Sequence, residues 1–119
     1  MGEPIDAAPL GASRHWDEVP AERVAEGIER QMIIGQSLMV CRLRFRPHLD
    51  TPVHSHPHEQ ITLVEKGRVR FLVGSDTRVV GPGEVLHFPA GVVHAATMLE
   101  EEVVLIDIFT PIREDFLKP

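Results

Sequence analysis

Polar and apolar residues alternate along residues 37–45, and this is the clearest hydrophobic pattern in the chain. In an extended strand every second side chain points to the same face. One face would carry Met39, Cys41, Leu43 and Phe45, and the other would carry Arg42, Arg44 and Arg46. The pattern predicts a half-buried strand whose arginine row faces solvent, with a dimer contact or a bound anion as the alternative. Cys41 is then a packing residue.

Shorter strand-like runs continue to the end of the chain. They are separated by turn-forming sequences such as Gly74-Ser75-Asp76 and Gly81-Pro82-Gly83. The runs cover residues 61–64, 69–73, 78–80, 85–88, 93–99 and 103–109. Many short strands with Gly and Pro turns, and almost no helical periodicity, predict an all-β sandwich or small barrel.

The N-terminal part is less regular. It is rich in Pro, Ala and Gly, which predicts a short N-terminal arm (residues 1–18) before a single domain (residues 19–119). Between Val19 and Arg30, Pro20 followed by Ala-Glu-Arg-Val-Ala-Glu favours one or two helical turns that Gly27 would end. A strand over residues 31–34 is the alternative.

Composition narrows the function classes. The chain has 119 residues, 43% of them hydrophobic, and a formal charge of −6, so one globular domain is expected. The negative charge argues against binding to nucleic acid or to an anionic membrane. Cys41 is the single cysteine, so neither an internal disulfide nor a thiolate-rich zinc site is possible. The N-terminus has no secretion-signal pattern, which predicts a cytoplasmic protein.

Three histidines occupy alternate positions at His54, His56 and His58. Alternate residues of a strand share a face, and two neutral imidazoles on one face can bind one transition-metal ion. A solvated histidine-rich turn is the alternative. His15, His48 and His87 have no such neighbours, so they are interpreted as surface histidines or as hydrogen-bonded core histidines.

Two segments together resemble the cupin family. The first reads His54-Ser-His56, then Gln60 and Gly67, and the second has Gly83, Pro89, Gly91 and His94. The resemblance implies an all-β cupin jelly roll, a double-stranded β-helix barrel, that holds one divalent metal ion.

The motif register implies the ligand set. It makes His54, His56, Gln60 and His94 the metal ligands and leaves His58 at the rim, whereas Glu59 points away from the ligand face. Four neutral ligands leave the +2 charge of the ion uncompensated, which favours an anionic substrate. Nickel, zinc, iron and manganese all accept such ligands.

The strand over residues 103–109 carries a carboxylate, Asp107, between apolar neighbours. A structural interpretation gives Asp107 a buried hydrogen bond or an ion pair with Arg113. A functional interpretation makes it a general acid or base in the cavity. Phe109 would then supply a cavity wall, and Arg113 would bind a substrate carboxylate.

The spacing Asp107-x-Phe109-x-x-x-Arg113 resembles the small KdgF-type pectin-degradation cupins. That resemblance implies an enzyme that converts 4,5-unsaturated monouronates from pectin or alginate breakdown to linear 5-keto-4-deoxyuronate. Asp107 and Arg113 would be catalytic, and Phe109, Arg113 and Met98 would contact the sugar acid. It also implies a homodimer that pairs through its N-terminal strands. An Fe(II)-dependent cupin dioxygenase and a non-catalytic sugar- or anion-binding cupin are the alternatives.

Overall fold

Ten strands and two short 3-10 helices make up the described part of the chain, residues 3–4 and 13–117 of a computed structural model. The strands are β1 (Glu3–Pro4), β2 (Glu22–Ala25), β3 (Ile28–Ile34), β4 (Met39–Phe45), β5 (Glu59–Lys66), β6 (Val69–Val73), β7 (Asp76–Val80), β8 (Val85–Phe88), β9 (His94–Met98) and β10 (Val103–Thr110). The 3-10 helices span Trp16–Glu18 and Glu114–Leu117. Among these residues we find no helix long and apolar enough to cross a membrane.

The strands form two sheets that enclose the core. The larger sheet has the order β1-β3-β4-β10-β5-β8, with β2 paired to β3, and the smaller sheet has the order β7-β6-β9. All pairs are antiparallel except β1 with β3. An isolated bridge between His54 and His94 joins the entry of β5 to β9 of the other sheet. The all-β jelly roll expected from the sequence is confirmed.

The helical prediction for residues 19–30 is wrong. That segment forms β2, a turn and the first part of β3. The alternative prediction, a strand over residues 31–34, is confirmed, because β3 contains those residues. The turn has Gly27 at φ +82°, a left-handed conformation that glycine adopts without strain. Pairing of β2 with β3, and of β3 with β4, satisfies the backbone groups that a helix would have satisfied locally.

The predicted division between an arm and a domain at residue 18 stays a prediction, because residues 1–2 and 5–12 lie outside the described residues. Trp16 and Val19 do contact the barrel. The side-chain amide of Gln31 on β3 donates hydrogen bonds of 2.8 Å and 2.9 Å to their carbonyl oxygens. The chain around residue 18 is therefore bound to the edge of the larger sheet.

Strand β4 has the two faces that its alternation predicts. Met39, Cys41 and Phe45 are buried in the core. On the outer face Arg42 pairs with Glu65 at 2.7 Å, and Arg44 pairs with Glu102 at 2.8 Å. The arginine row is therefore a solvent-facing row of ion pairs.

Strand β5 is the strand that brings polar groups into the barrel. Its outward side chains are exposed, including Ile61 and Leu63, and its inward side chains Gln60, Thr62 and Val64 are buried. Valine packs in the core, but a buried amide and a buried hydroxyl need hydrogen-bond partners. At the end of the hairpin Gly67 has φ +78°, and a Cβ there would collide with the carbonyl oxygen of Glu102. Only glycine fits that position of the first motif.

Candidate metal centre and cavity

Three histidines converge between the two sheets. One ring nitrogen from each of His54, His56 and His94 lies within 4.8 Å of the others. The backbone bridge between His54 and His94 positions two of them, with hydrogen bonds of 3.0 Å and 2.9 Å in the two directions. His56 follows on the extended segment that leads into β5. The three imidazoles predicted as ligands are therefore adjacent, although His94 lies about 40 residues from the other two in the chain.

Backbone carbonyl groups orient each imidazole. The Nδ1 atom of His54 lies 2.8 Å from the oxygen of Pro52, that of His56 lies 3.0 Å from the oxygen of His58, and that of His94 lies 3.0 Å from the oxygen of Val92. A carbonyl only accepts hydrogen bonds, so Nδ1 carries the proton in each ring. Each Nε2 then presents a lone pair, which is the arrangement that metal-binding histidines use.

Gln60 completes the set, and its amide orientation is determined by its neighbours. Its nitrogen donates a hydrogen bond of 2.8 Å to the hydroxyl of Thr62, which in turn donates one of 2.7 Å to Asp107. The amide oxygen therefore points to the histidines and lies 3.0 Å from Nε2 of His56. Two lone pairs facing each other repel unless a cation lies between them. The donor set of three imidazoles and one amide oxygen thus fits a divalent metal ion.

Two of the three histidines, His56 and His94, have a pKa below the usual value for histidine. Burial, the charge of Arg113 and the neighbouring His94 lower the pKa of His56 to about 4. Burial also lowers the pKa of His94. Only the neutral imidazole has a lone pair for a metal, so these shifts favour the metal-binding form of His56 and His94.

Asp107 is held by a hydroxyl and not by an arginine. The register of β10 against β5 places Asp107 directly opposite Thr62, and Thr62 donates the hydrogen bond described above. Burial raises the pKa of Asp107 to about 6, while the Thr62 hydrogen bond and the Arg113 charge oppose that rise. Of the two structural partners expected for Asp107, the buried hydrogen bond is present and the ion pair with Arg113 is not.

Arg113 instead pairs with Asp115, through hydrogen bonds of 3.1 Å from Nε and 2.8 Å from Nη2. Its guanidinium group stacks on two rings, 5.1 Å from the centroid of Phe109 and 4.0 Å from that of Phe116. Phe109 also lies edge-on to His56, with 5.7 Å between ring centroids. Arg113 is therefore held beside the histidine cluster, although it makes no hydrogen bond to Asp107.

One cavity of about 400 Å³ joins these groups. Its lining includes most of the predicted site residues, namely His54, Gln60, His94, Met98, Asp107, Phe109 and Arg113. Met98 is almost fully buried and belongs to the hydrophobic core as well. His56 and His58 line a second depression of about 790 Å³, which also has Arg113 in its wall. His58 thus lies at the rim, as predicted.

Three residues of this site were not recognised in the sequence. Thr62 connects Gln60 to Asp107, and its inward position in the alternation of β5 was the available signal. Arg30 lines the same cavity, and both Arg30 and Arg113 stack on the ring of Phe116. Arg30 alternates in phase with Ile28 and Met32, so its position on the apolar face of β3 was the available signal.

Comparisons with known proteins agree with this geometry. The model of the cupin domain family matches residues 41–109, which contain both motifs and all four predicted ligands. The pectin degradation protein KdgF of Dickeya dadantii is 35% identical over 104 residues, and the match covers 85% of this chain and 94% of that protein.

Two solved structures have the same fold over nearly their whole length. KdgF from a Halomonas species superposes with a TM-score of 0.84 at 28% identity, covering 90% of this chain and 99% of that chain. An RmlC-like cupin from Shewanella frigidimarina superposes with a TM-score of 0.80 at 30% identity, covering 87% and 96%. With its two motifs, its jelly roll and its histidine cluster, this chain belongs to the cupin family, among the relatives of the pectin degradation protein KdgF.

Proposed function

We propose that this cupin converts 4,5-unsaturated monouronates, from pectin or alginate breakdown, to the linear 5-keto-4-deoxyuronate. The observation that carries the proposal is the chain of hydrogen bonds from Gln60 through Thr62 to Asp107, which links a metal ligand to a buried carboxylate in one cavity. The name of its Dickeya relative supports a role in pectin breakdown.

The substrate suits the charge of the site. A monouronate carries one carboxylate, and Arg113 offers a guanidinium group that is fixed by Asp115 and by two aromatic rings. His54, His56, Gln60 and His94 would hold one divalent ion with its charge uncompensated. When bound, the ion supplies Lewis-acid polarisation of a substrate oxygen. The overall charge of −6 is no obstacle, because the positive charge is local.

The reaction is an isomerisation. The bond between C1 and the ring oxygen breaks, the C1 hydroxyl loses its proton to give an aldehyde, and the ring oxygen becomes the oxygen of an enol at C5. Delivery of a proton to C4, with loss of the proton from the enol oxygen, then gives the 5-keto acid. Asp107 would carry that proton, because it faces the cavity and Thr62 fixes the orientation of its carboxyl group. Phe109 and Met98, which line the cavity, would exclude water on either side of the bound sugar acid.

The test is a decay assay. Metal-loaded protein is added to freshly prepared unsaturated monouronate, and loss of the conjugated enol-ether absorbance is followed beside a chelated control. Asp107→Asn should retain the metal and lose about 100-fold or more of kcat, which is the usual contribution of a general acid. An Asp107→Asn variant that is fully active would contradict the role of Asp107. A wild-type rate equal to spontaneous decay, with metal bound, would contradict the function, and oxygen uptake would then test for a dioxygenase.

Three further expectations stay predictions. These are the cytoplasmic location, the identity of the metal among nickel, zinc, iron and manganese, and the homodimer. Light scattering measures the last directly, and metal analysis of protein purified without added metal measures the second.

A further inference from the structure

A second arginine, Arg30, lies in the wall of the same cavity. It is an inward-facing residue of β3, and only 11% of its side chain is exposed. Its cross-strand partner on β2 is Glu22, whose Oε1 atom lies 3.1 Å from Nε and 3.0 Å from Nη2 of Arg30. A buried guanidinium needs a counter-charge, and Glu22 supplies it from one side.

Arg30 and Arg113 are presented to the cavity in the same way. The side chain of Arg113 is also 11% exposed, and a carboxylate, Asp115, binds the same two nitrogens, Nε and Nη2. Both guanidinium groups stack on one ring, with their Cζ atoms 4.2 Å and 4.0 Å from the centroid of Phe116. Phe116 thus holds two cations near each other from the 3-10 helix Glu114–Leu117.

Each guanidinium group keeps one donor edge available. Within residues 13–117 we find no hydrogen-bond partner for Nη1 of Arg30 or for Nη1 of Arg113. Two neighbouring cations with spare donors repel each other, and an anion between them would relieve that repulsion and satisfy the donors. Glu22 and Asp115 are already engaged with Nε and Nη2, so within the described residues neither carboxylate satisfies the Nη1 donors.

We propose that Arg30 is a second anion-binding residue of the cavity, which shares the carboxylate of the sugar acid with Arg113. The proposal rests on the function proposed above and adds to it the residue that selects acidic over neutral sugars. One arginine beside a metal ion would bind many small oxygen ligands, whereas two guanidinium groups on one ring favour a planar carboxylate that can accept from both. Asp107 stays free of both arginines and available for proton transfer.

A purely structural role for Arg30 is the alternative, and a matched pair of variants separates the two. Arg30→Gln removes both the cation and its ion pair, whereas Glu22→Gln removes the ion pair and keeps the cation. Arg42→Gln is the control, because Arg42 pairs with Glu65 on the solvent face of the same sheet, away from the cavity.

Two measurements are made on the metal-loaded protein. The first is calorimetric binding of galacturonate beside neutral galactose, which requires no turnover. The second is KM and kcat in the decay assay. Arg30→Gln should weaken galacturonate binding and raise KM by about 10- to 100-fold, the usual effect of losing a charge-assisted hydrogen bond, with a much smaller change in kcat. Galactose binding should not change. Arg42→Gln should match the wild type, and Glu22→Gln should bind galacturonate at least as well.

Unchanged galacturonate affinity in Arg30→Gln would overturn the proposal, and so would an equal loss of affinity in Glu22→Gln. Should Arg30→Gln fail to fold, Arg30→Lys keeps the charge without the planar fork and should show an intermediate loss of affinity, whereas wild-type affinity would again overturn the proposal. Arg30-dependent binding of galacturonate without any turnover would refute the proposed reaction and leave the anion site standing.

Discussion

Removal of the Thr62 hydroxyl tests whether the buried hydrogen-bond chain orients the metal ligand. Thr62 is completely buried, and its hydroxyl both accepts from the Gln60 amide and donates to Asp107. Thr62→Val keeps the shape of the side chain and removes both bonds. The Gln60 amide can then rotate, and its oxygen is no longer directed to the histidines.

The loss of stability in Thr62→Val can be worked out from the two hydrogen bonds that the substitution removes. A hydrogen bond to a charged group contributes about 1.5–3 kcal/mol, and a neutral one contributes about 1 kcal/mol. Thr62→Val should therefore lower the free energy of unfolding of the metal-free protein by about 2–4 kcal/mol. Loss of a group that orients a ligand weakens metal binding by about 10- to 100-fold in other metal sites, and we expect the same for Zn²⁺ here.

Thr97→Val is a closely matched control. Thr97 also donates a hydrogen bond of 2.7 Å to a carboxylate, that of Asp50, but this pair is exposed on the smaller sheet. Its loss should change stability by less than about 0.5 kcal/mol and should leave Zn²⁺ affinity unchanged. Urea unfolding gives the stability, and competition with a chromophoric chelator gives the affinity. Equal Zn²⁺ affinity in Thr62→Val and the wild type would refute the idea that Thr62 orients Gln60.

Two further predictions concern Gln60 and Cys41. Gln60→Glu adds an anionic ligand, so Zn²⁺ affinity should rise. The KM for the uronate should rise by about tenfold, because the ion then attracts the substrate carboxylate less. An unchanged KM would contradict this prediction. Burial raises the pKa of Cys41 to about 12, above its usual 9.0. Above pH 9 the thiol therefore ionises more readily in the unfolded chain, and the folded state loses up to about 1.4 kcal/mol of stability per pH unit. Urea unfolding should show this slope in the wild type and a smaller one in Cys41→Ala.

The strands were accessible from the sequence because they depend on local alternation, and the proposed ligand set was accessible through the resemblance to the two cupin motifs. Alternation along β4 and β5 places residues on one face or the other whatever the partner strand is. It correctly placed Gln60 inside and Glu59 outside. The ligand assignment came from the spacing of the two motifs, which holds although the chain bends at residues 57–58 between His56 and Gln60.

The failure at residues 19–30 has a physical cause. Ala, Glu and Arg favour a helix locally, but local propensities are worth only tenths of a kcal/mol per residue. Pairing of β2 with β3, and of β3 with β4, gives more hydrogen bonds and buries Met32. Tertiary contacts therefore override the local preference, and no pattern within the segment indicates that partner.

The sequence alone thus indicated the fold family, the four candidate ligands and the Asp-Phe-Arg set, since short motifs with fixed spacing carry the resemblance to the family. The tertiary structure decided which partner each charged group has. The strand register gives Asp107 the hydroxyl of Thr62, and the C-terminal 3-10 helix gives Arg113 the carboxylate of Asp115. It also brings Arg30 to the ring of Phe116. The Thr62–Asp107 and Arg30–Phe116 contacts join residues far apart in the chain, and only the tertiary packing brings their side chains together. Arg113 and Asp115 are only two residues apart, and the turn of the C-terminal 3-10 helix decides that they pair.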